Sequence, residues 1–317
     1  MAARVPHCRH ALAKAGFPRI AGCGNSRPQS TGGPVMVAVV FGARGNVGRH
    51  VVDGLLAAGE QVRAVSRTAV TGLTPGWEAV TADLDRPETL TAALDAADKL
   101  FLYGMLDPQN PYDIEKVAAA ATAAGIRQVV LLSSVSVLSP DADHPVPRLN
   151  RTIEEAVQRS GMDWTFLRPG TFATNTRTWW AESIRTDSVV RLPYPLAQSA
   201  PVHEKDIAAL AVTALTEPGH SHQAYTIYGA ESLTLQRQVE YIGEALGRRI
   251  RIEHVSDEQA RAEVGRTMHP AVAGAIVNQW AAADGIPSLT SVIAGKITGT
   301  PARTYAQWAV DHSDDFR

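Results

Sequence analysis

Residues 37–48 read Val37-Ala38-Val39-Val40-Phe41-Gly42-Ala43-Arg44-Gly45-Asn46-Val47-Gly48, and this stretch decides the fold. Five apolar residues run straight into a glycine loop. The next segment, Asn46–Ala58, sets Val47, Val51, Leu55 and Ala58 on one helical face. Glycines at this spacing mean little alone. A strand before them and a helix after them make them a candidate dinucleotide loop. Gly42 permits a tight turn, Gly45 lets the backbone approach a pyrophosphate, and Gly48 lets the helix pack close. The helix N-terminus adds free N–H groups and a positive dipole end. Arg44, Asn46 and Val47 lie within the loop and are expected to share the contact.

The same rhythm continues outward. Apolar runs at Gln61–Val65, Glu78–Thr81, Lys99–Tyr103, Gln128–Ser133 and Trp164–Leu167 read as strands. Helical patterns at Pro87–Ala96, Pro111–Ala124 and Leu149–Arg159 lie between them. Strands joined by helices of this length predict an α/β fold, a doubly wound parallel sheet covered on both faces. After Pro169 the rhythm breaks. Asp206–Leu215 and Ala224–Tyr228 resume it, and the remainder reads as mostly helical. The expected division is a core of 36–169, rejoined by 201–230, and a smaller lobe of 170–200 and 231–317.

The charge balance is uneven. Of 30 basic residues, five lie before residue 36, where there is no acid; residues 36–317 hold 25 basic against 32 acidic. Net charge is −2, which makes no case for nucleic acid. No apolar stretch is long enough to span a membrane. Both cysteines, Cys8 and Cys23, also lie in the first 35 residues, so the rest has no disulfide, as fits a cytoplasmic protein. Residues 1–35 are read as a disordered extension or a start placed too far upstream, with a transit peptide as a poorer fit. The spacing of His7, Cys8, His10 and Cys23 matches no zinc pattern, so no metal is expected.

The second strand ends Ala64-Val65-Ser66-Arg67, and no acid follows until Glu78. An acid there would hold a ribose 2′-hydroxyl, whereas Arg67 suits a 2′-phosphate. NADP(H) is therefore expected over NAD(H). Asp83-Leu84, after the third strand, is placed by the adenine, though Asp83 also reads as a turn residue.

These pieces together resemble the NmrA-like, atypical branch of the short-chain dehydrogenase/reductase superfamily. The resemblance is carried by Gly42–Gly48, Asp83-Leu84, Gln128–Ser136, Ser160–Gly170, Phe172 with Asn175, Val202–Ala208 and Arg303–Trp308. It implies a Rossmann-type sheet, an NADP(H) or NAD(H) cofactor and a C-terminal substrate lobe. It also exposes a departure. Active reductases of the superfamily carry a Ser and then Tyr-x-x-x-Lys, in which the lysine tunes the tyrosine as proton donor. Ser134 takes the Ser position, with Ser133 beside it. The Tyr position falls on Val146 and the Lys position on Asn150. No Tyr or Lys occurs between Lys116 and Tyr194, so the pair is missing whatever the local register.

Hydride transfer needs only the cofactor and a substrate in reach. The candidate catalytic groups are Ser134, Tyr103 and His144, with Tyr194 and His203 weaker. Ser133 and Asn150 are assigned to the cofactor. Phe172, Asn175, Trp179 and Trp180 are assigned to a substrate wall, where rings can stack on a flat molecule. There is no His-Glu-x-x-His, nucleophile elbow or phosphate-binding lysine loop. The leading expectation is an oxidoreductase acting on a quinone-like, conjugated or carbonyl small molecule. A non-catalytic redox sensor and a redox-neutral isomerase or epimerase are the alternatives. Monomer and homodimer both stay open.

Overall fold

The computed structural model describes residues 36–68, 77–103, 112–139 and 145–317. The order along the chain is β1 (Val37–Phe41), α1 (Gly48–Ala57), β2 (Gln61–Ser66), β3 (Trp77–Thr81), α2 (Leu90–Leu94), β4 (Lys99–Tyr103) and α3 (Ile114–Ala123). There follow β5 (Gln128–Leu132), α4 (Pro145–Arg159), β6 (Asp163–Pro169), α5 (Asn175–Asp187), β7 (Val189–Leu192), β8 (Gln198–Ser199), α6 (Glu204–Thr216) and β9 (Gln223–Ile227). The remainder is β10 (Leu233–Thr234), α7 (Leu235–Leu246), β11 (Arg251–His254), α8 (Asp257–Val264), α9 (Pro270–Ala282), α10 (Ile293–Thr298) and α11 (Tyr305–Asp311).

Seven strands form one sheet in the order β3-β2-β1-β4-β5-β6-β9, every neighbouring pair parallel. The strand residues explain why both faces are covered. Side chains alternate across a strand, and here both sets are apolar. Val39, Phe41, Leu100, Leu102, Val129 and Leu131 enter one core with α2, α3 and α4. Ala38, Val40, Phe101 and Val130 enter the other with α1, α6 and α10. This is a doubly wound, Rossmann-type sheet. The third core holds Trp180, Leu192, Val239, Trp280, Trp308 and Phe316, drawn from the chain after β6. That region is mostly helical but carries two small sheets, β8 with β10 and β7 with β11, which the loss of rhythm after Pro169 concealed.

Two helices differ from their expected bounds. The segment read as one helix over Pro87–Ala96 is a 3-10 turn at Pro87–Thr89 followed by the short α2, and Ala96 turns the chain out with φ 51°. Helix α4 begins four residues earlier than Leu149. Pro145 opens it, at a position where a missing N–H costs nothing. That shift puts Val146 and Asn150 on the same helix. None of the described helices is long and apolar enough to cross a membrane.

Candidate functional site

The chain runs from β1 outward to β3, then returns past β1 to continue at β4. A crevice opens at such a reversal, at the carboxyl ends of the strands. A cleft of about 1000 Å³ lies there, lined by residues at the ends of β1, β2, β4 and β5 and by the segments that follow them.

The glycine loop forms its floor. Gly42 has φ 69°, a left-handed conformation natural only to glycine, and Gly45 N–H donates to the Gly42 carbonyl at 2.8 Å. At Gly48 a Cβ would lie 2.1 Å from the Gly42 oxygen, so any side chain there would force the loop open. Val47 precedes α1 without a side-chain cap, leaving the helix N-terminus directed at the cleft with no acid in its first turn. Gly42, Arg44, Gly45, Asn46, Val47 and Gly48 all line the cleft.

At the β2 side stand Ser66, Arg67 and Thr68. Arg44 Nη1 donates to Thr68 Oγ1 at 2.8 Å, tying the two loops together. Arg67 is exposed and has no hydrogen-bond or ion-pair partner among the described residues. Leu84 lines the cleft, whereas Asp83 does not. The Asp83 carboxylate accepts from Asp85 N–H at 3.2 Å, so it serves its own turn.

Tyr103 ends β4 in the cleft wall, its ring against Gly42, where a Cβ would meet it at 3.0 Å. Burial raises its pKa above the usual 10, opposed by Arg67 and reinforced by Asp83 and Asp85.

The other end holds Ser133, Ser134, Val146 and Asn150. Ser133 is buried and donates to Glu154 Oε1 at 2.6 Å. Arg168 grips the same carboxylate with Nε at 2.9 Å and Nη2 at 2.6 Å. A bidentate pair of this kind holds its partners in fixed orientation. Ser134 Oγ accepts from Ser136 N–H at 3.1 Å and still has its own hydrogen to donate. Asn150 Nδ2 donates to the Val146 carbonyl at 3.1 Å. Val146 and Asn150, expected from the resemblance at the Tyr and Lys positions, thus both stand on α4 in the cleft lining, and neither can exchange a proton.

Phe172 and Asn175 line the cleft. Trp179 and Trp180 do not. Trp180 is 3% exposed in the third core, and Trp179 packs edge-on against Trp180 and Trp280. Two adjacent residues on a helix point nearly 100° apart, and here the lobe core takes both rings. His203 is buried at the N-terminus of α6, where its Nδ1 accepts from Lys205 N–H at 3.2 Å. Tyr194 packs on the third core. His144 lies outside the described residues, as do residues 1–35. Sequence reading missed Phe41, Phe101, Leu132, Thr68 and Thr174, which line the cleft with ordinary strand-end or loop side chains. Thr68 had a signal, since it directly follows Arg67. No group of His, Cys, Asp and Glu among the described residues could hold a metal.

The comparisons agree with this geometry. A family described as NAD(P)H-binding matches residues 42–218. The chain is 39% identical to a (4-alkanoyl-5-oxo-2,5-dihydrofuran-3-yl)methyl phosphate reductase of Streptomyces griseus, over 88% of this chain and 98% of that protein. It is 32% identical to an NAD(P)H azoreductase of Xenophilus azovorans, over 88% and 98%. The fold is that of a Citrobacter triphenylmethane reductase solved with NADP(H), with a TM-score of 0.71 at 22% identity, covering 88% of this chain and 99% of that one. The NmrA-like resemblance holds among more distant relatives as well. A glycine loop in its strand–helix setting and a match over more than half the chain lead to one assignment: this protein belongs to the NAD(P)H-binding family, in its NmrA-like neighbourhood.

Proposed function

We propose that the protein is an NADPH-dependent reductase that delivers hydride to a conjugated or quinone-like small molecule. The carrying observation is the pairing of a dinucleotide cleft with a reacting end that offers hydroxyl and amide groups but no tyrosine–lysine pair. Gly42, Arg44, Gly45, Asn46, Val47 and Gly48 would cradle the pyrophosphate. Arg67, with Arg44 and Thr68 beside it, would hold a 2′-phosphate and so favour NADP(H) over NAD(H). Leu84 would pack at the adenine, with Asp83 shaping the turn that carries it. Ser133 and Asn150 would face the nicotinamide ribose. Phe172 and Asn175 would border the substrate.

The bound cofactor supplies the hydride. The protein's task is to orient the acceptor, exclude water and place a donor where charge develops. Ser134 is the group in position, with a hydroxyl hydrogen to spare. A serine hydroxyl is a weak acid. It suits an acceptor whose reduced form is already a stabilised anion and can take its proton from water. The substrate named for the Streptomyces griseus relative is of this kind: a ring alkene whose carbon bears both a lactone carbonyl and an acyl group. Simple ketones, whose alkoxides need a positioned acid, fit less well. Tyr103, its ring packed against Gly42, fits a wall for the cofactor better than a proton donor.

The test is NADPH oxidation by the purified full chain with an acyl butenolide, quinones, an azo dye and an unactivated ketone. Turnover of the conjugated acceptors but not the ketone is the expected pattern. Tight NADPH binding without oxidation by any acceptor would sink the reductase reading and favour the sensor. Turnover of a substrate with no net change in nicotinamide would point to the isomerase.

A further inference from the structure

Arg177 lies in the first turn of α5, just past the cleft residue Asn175. Its guanidinium faces two ways. Nη2 donates to Asn46 Oδ1 in the glycine loop at 3.0 Å. Nη1 donates to Asp315 Oδ2 at 3.3 Å, in the 3-10 turn Ser313–Phe316 at the end of the chain. Three segments far apart in sequence meet on one side chain.

The far side of this junction is built firmly. Asp315 Oδ2 also contacts His312 Nδ1 at 3.0 Å, and His312 Nε2 contacts Glu204 Oε1 at 2.6 Å. Glu204 is fully buried at the start of α6, and Trp308 Nε1 donates to its other oxygen at 3.1 Å. The backbone of the turn is pinned by Arg185 Nη1 to the Asp315 carbonyl at 2.7 Å and Arg248 Nη2 to the Phe316 carbonyl at 3.2 Å. Arg177 therefore has a rigid base from which to hold the loop.

Its effect on Asn46 follows from donor chemistry. Arginine only donates, so the Asn46 atom that meets it must be the carbonyl oxygen. That removes the usual ambiguity between amide oxygen and nitrogen. The Asn46 NH₂, on the opposite side, has no partner among the described residues, and Asn46 lines the cleft.

We propose that Arg177 is a positioning residue for the dinucleotide: it fixes the Asn46 side chain so that its NH₂ donates into the cleft, toward the cofactor's phosphate region. This rests on the NADPH reading above. The chain's C-terminal turn is then part of the cofactor site without touching the cofactor.

The test uses the full chain, with NADPH binding followed by nicotinamide fluorescence and by KM and kcat. Arg177→Met is expected to raise the NADPH Kd and KM about ten-fold, which is about 1.4 kcal/mol. It should leave kcat at saturating NADPH and the KM of the acceptor within two-fold. Asn46→Ala should show the same loss. The double variant should bind no more weakly than Asn46→Ala alone, because both changes remove one interaction. Arg177→Lys, which keeps one contact of the two, should recover part of the loss. If Arg177→Met does not fold, Asp315→Asn decides by the same measurements, with a smaller loss expected in the same direction. Unchanged NADPH affinity in the variant that folds, or losses that add in the double variant, would overturn the proposal. Failure of the unaltered chain to bind NADPH would instead remove the cofactor reading beneath it.

Discussion

At the scale of single residues, the proposed reading gives two side chains separable roles. Arg67 is exposed and unpaired among the described residues at the end of β2, so its charge is available to a ligand rather than committed to the fold. A hydrogen bond to a charged group contributes about 1.5–3 kcal/mol. Arg67→Ala should therefore weaken NADPH binding by about ten-fold or more and leave NADH binding unchanged, read by fluorescence titration with both. Equal loss for the two cofactors would mean that Arg67 does not read the 2′-phosphate. Ser134 is the residue proposed for the chemistry instead. Ser134→Ala should lower kcat about ten-fold on acceptors that need a donor and much less on an acyl butenolide. Its Kd for NADPH should stay put. The two residues also differ in how readable they were. Arg67 announces itself because no acid follows its strand. Ser134 was singled out by the resemblance and by its place just after a strand end, and its spare hydrogen is visible only once the Ser136 amide is seen to occupy a lone pair.

At the scale of elements, the strands and the glycine loop were legible because their signals are local. An apolar run followed by Gly-x-x-Gly-x-x-Gly needs no distant partner to be recognised. The G48A substitution tests that unit. A Cβ there meets a backbone oxygen, not a movable side chain. The variant should lower the melting temperature and raise the NADPH Kd together, by differential scanning fluorimetry and titration. A normal Kd in a folded G48A would show that the loop adapts. What stayed hidden were contacts between distant elements. Trp179 and Trp180 look like a substrate wall in sequence, and only the packing of α5 on α9 turns them into core. The junction of α6 with α11 was hidden too. There, burial lowers the His312 pKa and hydrogen bonds from its ring to the Glu204 and Asp315 carboxylates raise it, with a net rise above the usual 6.5. Burial pushes Glu204 and Asp315 up, but their histidine and arginine partners hold both below the usual carboxylate range. A raised histidine contributes fully below about pH 6.5 and loses its contribution as pH rises through its folded value. Depressed carboxylates contribute above about pH 4.5 and lose it as pH falls through theirs. Thermal stability should therefore peak between about pH 5 and 6.5 and decline on the alkaline side. His312→Gln should flatten the alkaline decline. An unchanged slope in that variant would put the pH dependence elsewhere.

At the scale of the whole molecule, the cleft draws on the carboxyl ends of β1, β2, β4 and β5 and on the start of α5, while the third core closes behind α5. A ligand seated there bridges β1, β2 and β5 with the segment after β6. Binding to the folded state alone stabilises by mass action, about 2.7 kcal/mol at a hundred-fold excess over Kd. For a chain of this size each kcal/mol moves the melting point by about 1.5–2 °C, so NADPH at that excess should raise it by roughly 4–5 °C. NADH at the same concentration should raise it less, since it lacks the group Arg67 would read. The same measurement asks whether the site is self-contained. The Streptomyces griseus relative is matched over 98% of its length by 88% of this chain, and every residue assigned to the cleft lies between Phe41 and Asn175. A protein beginning at Met36 should therefore melt with the full chain and show the same NADPH shift. If the shortened protein melts normally but loses its shift, the first 35 residues contribute to cofactor binding. If neither protein responds to NADPH or NADH, the cleft's occupant is not a nicotinamide cofactor, and the roles given to Arg67, Ser134 and Arg177 fall together.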